Sequence, residues 1–175
     1  METNTFKKLK NKKQDNYPEY LIVHHSMASE NQTVQSIENY HLDLGWEGVG
    51  YQYLINFLGE IWKGRPEYYH GAHCKEQGMN TKSIGICLIG DFDRKLPTEA
   101  QIISLKALMK DIQARYNIPN NKIVPHRHFA PYKTCYGSRL ADDWAGDLIE
   151  LSIKKKEMVC VPKALIQELA RYIKT

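Results

Sequence analysis

The four cysteines of the chain, Cys74, Cys87, Cys135 and Cys160, contain no CxxC pair. Such scattered spacing suggests neither a zinc ribbon nor a disulfide framework. The HExxH pattern that sets two histidines and a base on one helix is also missing. No stretch approaches the roughly 20 consecutive apolar residues that a membrane-spanning helix needs. Positive charge near the N-terminus is not followed by an apolar run, so no secretory signal is read. The chain is therefore expected to be cytoplasmic as synthesised unless other machinery exports it. Internal repeats and low-complexity segments are lacking too. The net charge of +4 over 175 residues is modest, and no basic stripe interleaved with aromatics appears. A nucleic-acid partner is accordingly not expected.

What is present suits one globular domain. An apolar share of 42% and a charged share of 25% are enough for a chain of this length to bury its own core. The basic tilt is concentrated in FKKLKNKK, residues 6–13. Residues 1–16 are expected to be a solvated, flexible tail. The alternative for that run is attraction to an anionic polymer or surface, or to a regulatory protein partner.

Short apolar runs predict strands. YLIVHH (20–25) and IGICLI (84–89) are continuously apolar, as central strands covered on both faces are. YQYLINF (51–57), Gly59 and EIW (60–62) read as a hairpin, and KIVP (122–125) as a short strand stopped by its proline. Helical spacing places Val34, Ile37, His41 and Leu44 on one stripe closed by Gly45. A second helix opens at a capping box, Thr98 with Gln101, and buries Ile102, Leu105, Leu108, Met109, Ile112 and Tyr116. Residues 142–154 and 157–175 supply two more helical candidates. The fold class predicted is α/β, a single domain with a central mixed sheet flanked by helices and an extra C-terminal helix.

The strand ends carry the chemistry. His24 or His25 follows LIV, and His126 or His128 follows IVP; a histidine there points into the loop layer where such sheets build sites. Cys135, unlike the core-like Cys87, has polar and ionisable neighbours. Two imidazoles and a thiolate from distant strands would make a three-ligand zinc site with one open position, the catalytic arrangement. Each histidine alone is more often an ordinary satisfied residue, and a lone cysteine is usually inert. A cysteine nucleophile paired with histidine is the alternative chemistry, although no Asn or Asp orienter accompanies it.

Taken in order, IVHHS, GWEGVGYQYLI (45–55), GAHCKEQGMNTKSIGICLIGDF (71–92), LPTEAQ and HRHFAPYKTC resemble the type-2 N-acetylmuramoyl-L-alanine amidases. That family includes small phage amidases and the peptidoglycan recognition proteins. The resemblance covers roughly residues 18–150 and is nearest to the phage group. It implies a zinc amidase domain over residues 17–156; residues 157–175 have no counterpart in it and are expected, from their amphipathic pattern, to form a helix that packs on the domain or binds a partner. It implies zinc held by His24, His126 and Cys135, with His128 a competing ligand because the His126-to-Cys135 gap is one residue longer than the family's. Tyr51 and Lys133 fall at its catalytic positions, and His73 where substrate is lined. No carboxylate occurs in SIGICLIG, where some related enzymes carry a glutamate, which raises the importance of Tyr51 and Lys133. Lys82 and Arg127 are candidates for stem-peptide carboxylates by neighbourhood alone. The implied substrate is peptidoglycan or its muropeptides, reached once the protein is released to the cell wall. A non-catalytic peptidoglycan binder of the same fold, or a cytoplasmic recycling amidase, are the rival functions.

Overall fold

A computed structural model describes residues 1–149. Its elements run α1 (Asn4–Leu9), β1 (Tyr20–His25), α2 (Val34–Asp43), β2 (Tyr53–Ile55), β3 (Ile61–Lys63), β4 (Ser83–Leu88), α3 (Glu99–Tyr116) and β5 (Ile123–Pro125). The strands form one mixed sheet in the order β3-β2-β4-β1-β5. Among the described residues, β1 is parallel to both β4 and β5, β2 is parallel to β4, and the hairpin β2–β3 is antiparallel. The expected α/β class and mixed sheet are thus present. Residues 144–149 of the expected 142–154 helix are helical. The remainder of that helix, the 157–175 extension and Cys160 lie outside the described residues.

Strand periodicity sorts the core into two faces. Leu21 and Val23 pair with Ile84 and Ile86, and all four join Leu88, Leu105, Met109 and Ile112 in the cluster under α3. Each such fully buried side chain stabilises the fold by about 1.5–3 kcal/mol. The opposite face of β4 presents Cys87 to Val34, Ile37 and Val49 beneath α2. The capping box forms as expected: Thr98 accepts from the Gln101 backbone N–H while the Gln101 side chain accepts from Thr98 N–H. Gln101 also donates to Ile55 O and Ile89 O, satisfying two strand ends. Ile102 and Tyr116 are only half-buried, at the margins of the α3 stripe. Leu44 is exposed because it is the C-cap of α2, one residue past the helical stripe.

Residues 1–16, expected as a solvated tail, instead pack on the domain. Thr5 and Leu9 of α1 are buried. The Thr5 N–H and hydroxyl both donate to Glu38 on α2, and the Thr5 hydroxyl oxygen accepts from Val49 N–H at 2.8 Å. Asn16 is fully buried and donates to Glu67 O and Ser83 O. The lysines of the run face solvent around these few inward residues, so composition reports the outside of the segment and misses its anchors.

A partly buried carboxylate ties α3 to the hairpin side of the sheet. Glu67 accepts from Tyr53 Oη at 2.6 Å, Tyr116 Oη at 2.9 Å and the Arg115 guanidinium. Burial alone would raise its pKa, but the bonds from Arg115, Tyr53 and Tyr116 outweigh burial and hold it below the usual carboxylate value. A folded-state pKa below the unfolded one contributes stability above the ordinary carboxylate range and loses it as pH falls through the lowered value. The thermal midpoint of the wild-type protein should therefore exceed that of Glu67→Gln at neutral pH. The gap should narrow as the pH drops below about 4.5. Thermal unfolding of both proteins across pH 3–7 checks this, and a gap that widens on acidification would contradict it.

Candidate active site

The parallel register explains how two distant histidines meet. Leu21, Ile22 and Val23 of β1 lie opposite Ile123, Val124 and Pro125 of β5, so the next residues, His24 and His126, come level at the strand ends. Their ring centroids are 4.6 Å apart. Strand alternation also separates His24 from His25. Leu21 and Val23 face α3, and His25 follows them to that side, where its Nδ1 accepts from Phe92 N–H at 3.0 Å. His24 points to the opposite face, where Tyr51, His73 and His126 surround its ring. His128 is exposed against Phe129 and takes no part in the cluster.

Cys135 arrives on the loop after β5. Arg127 N–H donates to Cys135 O at 2.8 Å. The Arg127 guanidinium donates to the carbonyls of Thr134, Gly137 and Leu140 and pairs with Asp142. Expected as a substrate contact, Arg127 is thus committed to latching the cysteine loop. Tyr136 is fully buried next to it and donates to Ala141 O and Asp142 O, at 2.6 and 3.0 Å. Lys82 stands at the other end of the strand pair, where its carbonyl accepts from Tyr20 N–H at the start of β1. It is remote from these histidines.

The donor atoms of His24, His126 and Cys135 all lie within 4.8 Å of one another, and the three residues are buried. Cys135 Sγ is 3.6 Å from His24 Nδ1. Donors on one tetrahedral zinc ion stand roughly 3.3–3.6 Å apart, given bond lengths of about 2.0–2.3 Å. The spacing therefore fits a single zinc ion. His24 Nε2 meets His73 Nδ1 at 3.0 Å, so a His24 that ligates through Nδ1 carries its proton on Nε2 and donates to His73. His73 was expected to line substrate; it does line the cavity, and it is also the outer partner of His24.

The histidines are held neutral, as metal ligands must be. Burial, then the neighbouring His126, His73 and Lys133, hold His24 well below its usual pKa, so it is neutral and able to ligate. Burial and Lys133 likewise lower His126. Burial pushes the Cys135 thiol up to about 12, against the opposing backbone N–H of His25 and the charge of Lys133. A bound divalent ion would supply the charge that deprotonates such a thiol. Burial and the thiols of Cys87 and Cys135 raise the Tyr51 hydroxyl well above its ordinary value, so it remains a proton donor.

A cavity of about 490 Å³ opens over this cluster, lined among others by Tyr51, His73, Lys133 and Cys135. Its wall depends on close backbone approaches. A Cβ at Gly85 would stand 2.6 Å from the His73 ring, and one at Gly50 would stand 2.4 Å from Ala72 O. The glycine inside the β4 run is therefore the space in which His73 lies. The sequence reading passed over Trp46, which stacks on His41 at 4.6 Å and edges the cavity, and Glu76, whose Oε2 is 3.6 Å from His126 Nε2.

Known proteins resemble this chain in sequence and in fold. The chain is 34% identical over 139 residues to the endolysin of Escherichia phage T7, spanning 75% of this chain and 89% of that one. It is 32% identical over 133 residues to peptidoglycan-recognition protein SC2 of Drosophila melanogaster, spanning 71% of each. Among solved structures, the N-acetylmuramoyl-L-alanine amidase LysC from Clostridium intestinale URNW superposes with a TM-score of 0.69 at 29% identity, over 80% of this chain and 87% of that one. Residues 14–138 match the N-acetylmuramoyl-L-alanine amidase family, and with the phage endolysin and the recognition protein as relatives, the chain belongs to that family.

Proposed function

We propose that the protein is a zinc-dependent amidase that hydrolyses the bond between N-acetylmuramic acid and L-alanine in peptidoglycan, acting as a phage-type endolysin. The observation that carries the proposal is the convergence of His24, His126 and Cys135 in one cavity with Tyr51 and Lys133. Amide hydrolysis needs both a better electrophile and a better nucleophile than amide and water provide. His24, His126 and Cys135 would hold the zinc, which would supply Lewis acidity toward the carbonyl and a water of pKa about 7.

The chain's own groups supply the rest. Lys133 lines the cavity and brings positive charge to where the carbonyl oxygen becomes anionic. Tyr51, kept protonated by burial, offers its hydroxyl to orient the attacking water or hand over a proton. His73 fixes the His24 tautomer through the 3.0 Å contact. The exposed Tyr132 ring and partly exposed Trp46 flank the opening and offer apolar faces to a sugar or stem peptide. The kinship with phage endolysins supports lysis over recycling, with release to the wall after synthesis in the cytoplasm.

The decisive assay incubates zinc-loaded protein with purified sacculi and follows new L-alanine amino termini. Release is expected, abolished by a chelator and restored by zinc. Protein that binds sacculi but releases nothing is instead a non-catalytic binder of the same fold. Preference for soluble muropeptides over sacculi would favour the recycling role.

A further inference from the structure

We propose that Cys74, Glu76 and Nε2 of His126 form a second cation site, for a soft divalent ion such as zinc or cadmium, sharing the His126 imidazole with His24 and Cys135. Glu76 Oε2 lies 3.7 Å from Cys74 Sγ and 3.6 Å from His126 Nε2, and the three donor atoms are mutually within 4.8 Å. A separation of 3.6 Å is too long for a hydrogen bond between imidazole and carboxylate. It does match the roughly 3.3–3.6 Å between donors on one tetrahedral ion.

Burial of the shared imidazole adds to that spacing. His126 Nε2 is buried and has no hydrogen-bond partner among the described residues. A buried polar nitrogen left this way is costly, and this one faces the Cys74 thiol and the Glu76 carboxylate. The two nitrogens of an imidazole diverge; with Nδ1 in the His24–Cys135 set, Nε2 takes a second ion by releasing its proton to solvent, which makes the His126 ring a bridging imidazolate.

The donors are held in place by the segment that carries them. Asn80 Oδ1 accepts from His73 N–H and Cys74 N–H, each at 2.9 Å. Left-handed backbone at Gln77 and Gly78 turns the chain back after Glu76. The Tyr132 hydroxyl donates to Glu76 Oε1, which leaves Oε2 to face Cys74 and His126. A cavity of about 420 Å³, lined by Cys74, Glu76, His126 and Lys133, gives an ion access. One sulfur, one nitrogen and one carboxylate oxygen favour zinc-like ions over magnesium or calcium, which take oxygen donors.

Occupancy would neutralise Glu76, add positive charge beside Lys133 and draw electron density from the shared imidazole. Excess zinc should therefore inhibit, a consequence that rests on the amidase reading, whereas binding itself does not. Metal-free full-length protein is titrated with zinc and with cadmium, using chelator competition and native mass spectrometry. Wild type should hold one equivalent more than Cys74→Ala or Glu76→Gln. Its cadmium–thiolate absorbance should exceed that of Cys74→Ala. Amide release by wild type should fall several-fold beyond the first equivalent, whereas Cys74→Ala should show no such fall. Cys74→Ser, with circular dichroism on every variant, separates loss of a ligand from loss of fold. Equal stoichiometry in wild type and both variants would overturn the site, as would zinc inhibition persisting in Cys74→Ala. Absence of amide release at any zinc level would count against the amidase reading, while the stoichiometry would still decide the second site.

Discussion

Replacing Cys135 with serine is expected to lower amide hydrolysis by about 10³-fold or more while leaving the fold intact. The sulfur is the soft donor of the trio, and serine oxygen is a poor replacement for a thiolate at a zinc-like ion. Metal assistance contributes several kcal/mol of transition-state stabilisation, and each 1.36 kcal/mol is tenfold in rate. The side chain is buried, yet the change alters one atom, and the loop remains latched by Arg127 and Tyr136. Zinc content, thermal midpoint and turnover measured together test this. Serine protein that keeps its zinc and works within tenfold of wild type would contradict it.

Lys133→Ala carries the second large effect, about 10²–10³-fold in kcat with zinc content unchanged. That magnitude is the loss typical of one group stabilising a developing oxyanion. Lys133 is exposed, and the Lys133 ammonium stands 5.9 Å from the Tyr132 ring centroid. Stability should consequently change by no more than about 0.5 kcal/mol. Arginine at the position keeps the charge and should recover part of the rate, whereas methionine should not. A defect confined to KM would instead assign Lys133 to substrate binding before the chemical step.

Much of the architecture was legible because the sheet obeys simple periodicity. The runs YLIVHH and KIVP read as strands, and their parallel pairing at a common offset makes His24 and His126 neighbours. The capping box at Thr98 announced α3 from four residues. Other features depend on partners far away in sequence. The N-terminal segment looked solvated because its lysines dominate composition, while its anchor, Thr5, bonds to Glu38 and Val49, 33 and 44 residues on. Arg127 looked available for substrate, yet its acceptors are carbonyls of a loop whose path no pattern predicts. Glu76 and Cys74 sit in the irregular stretch before β4, where neither period 2 nor period 3.6 assigns a direction to side chains.

Zinc-edge X-ray absorption on Cys74→Ala protein loaded with one equivalent tests the central claim most directly, since among the described residues that variant keeps the His24–His126–Cys135 set and lacks a ligand of the second. The account predicts one sulfur at about 2.3 Å and two imidazole nitrogens at about 2.0–2.1 Å, with a light-atom ligand completing four-coordination. A shell without sulfur, or with a single imidazole, would contradict it.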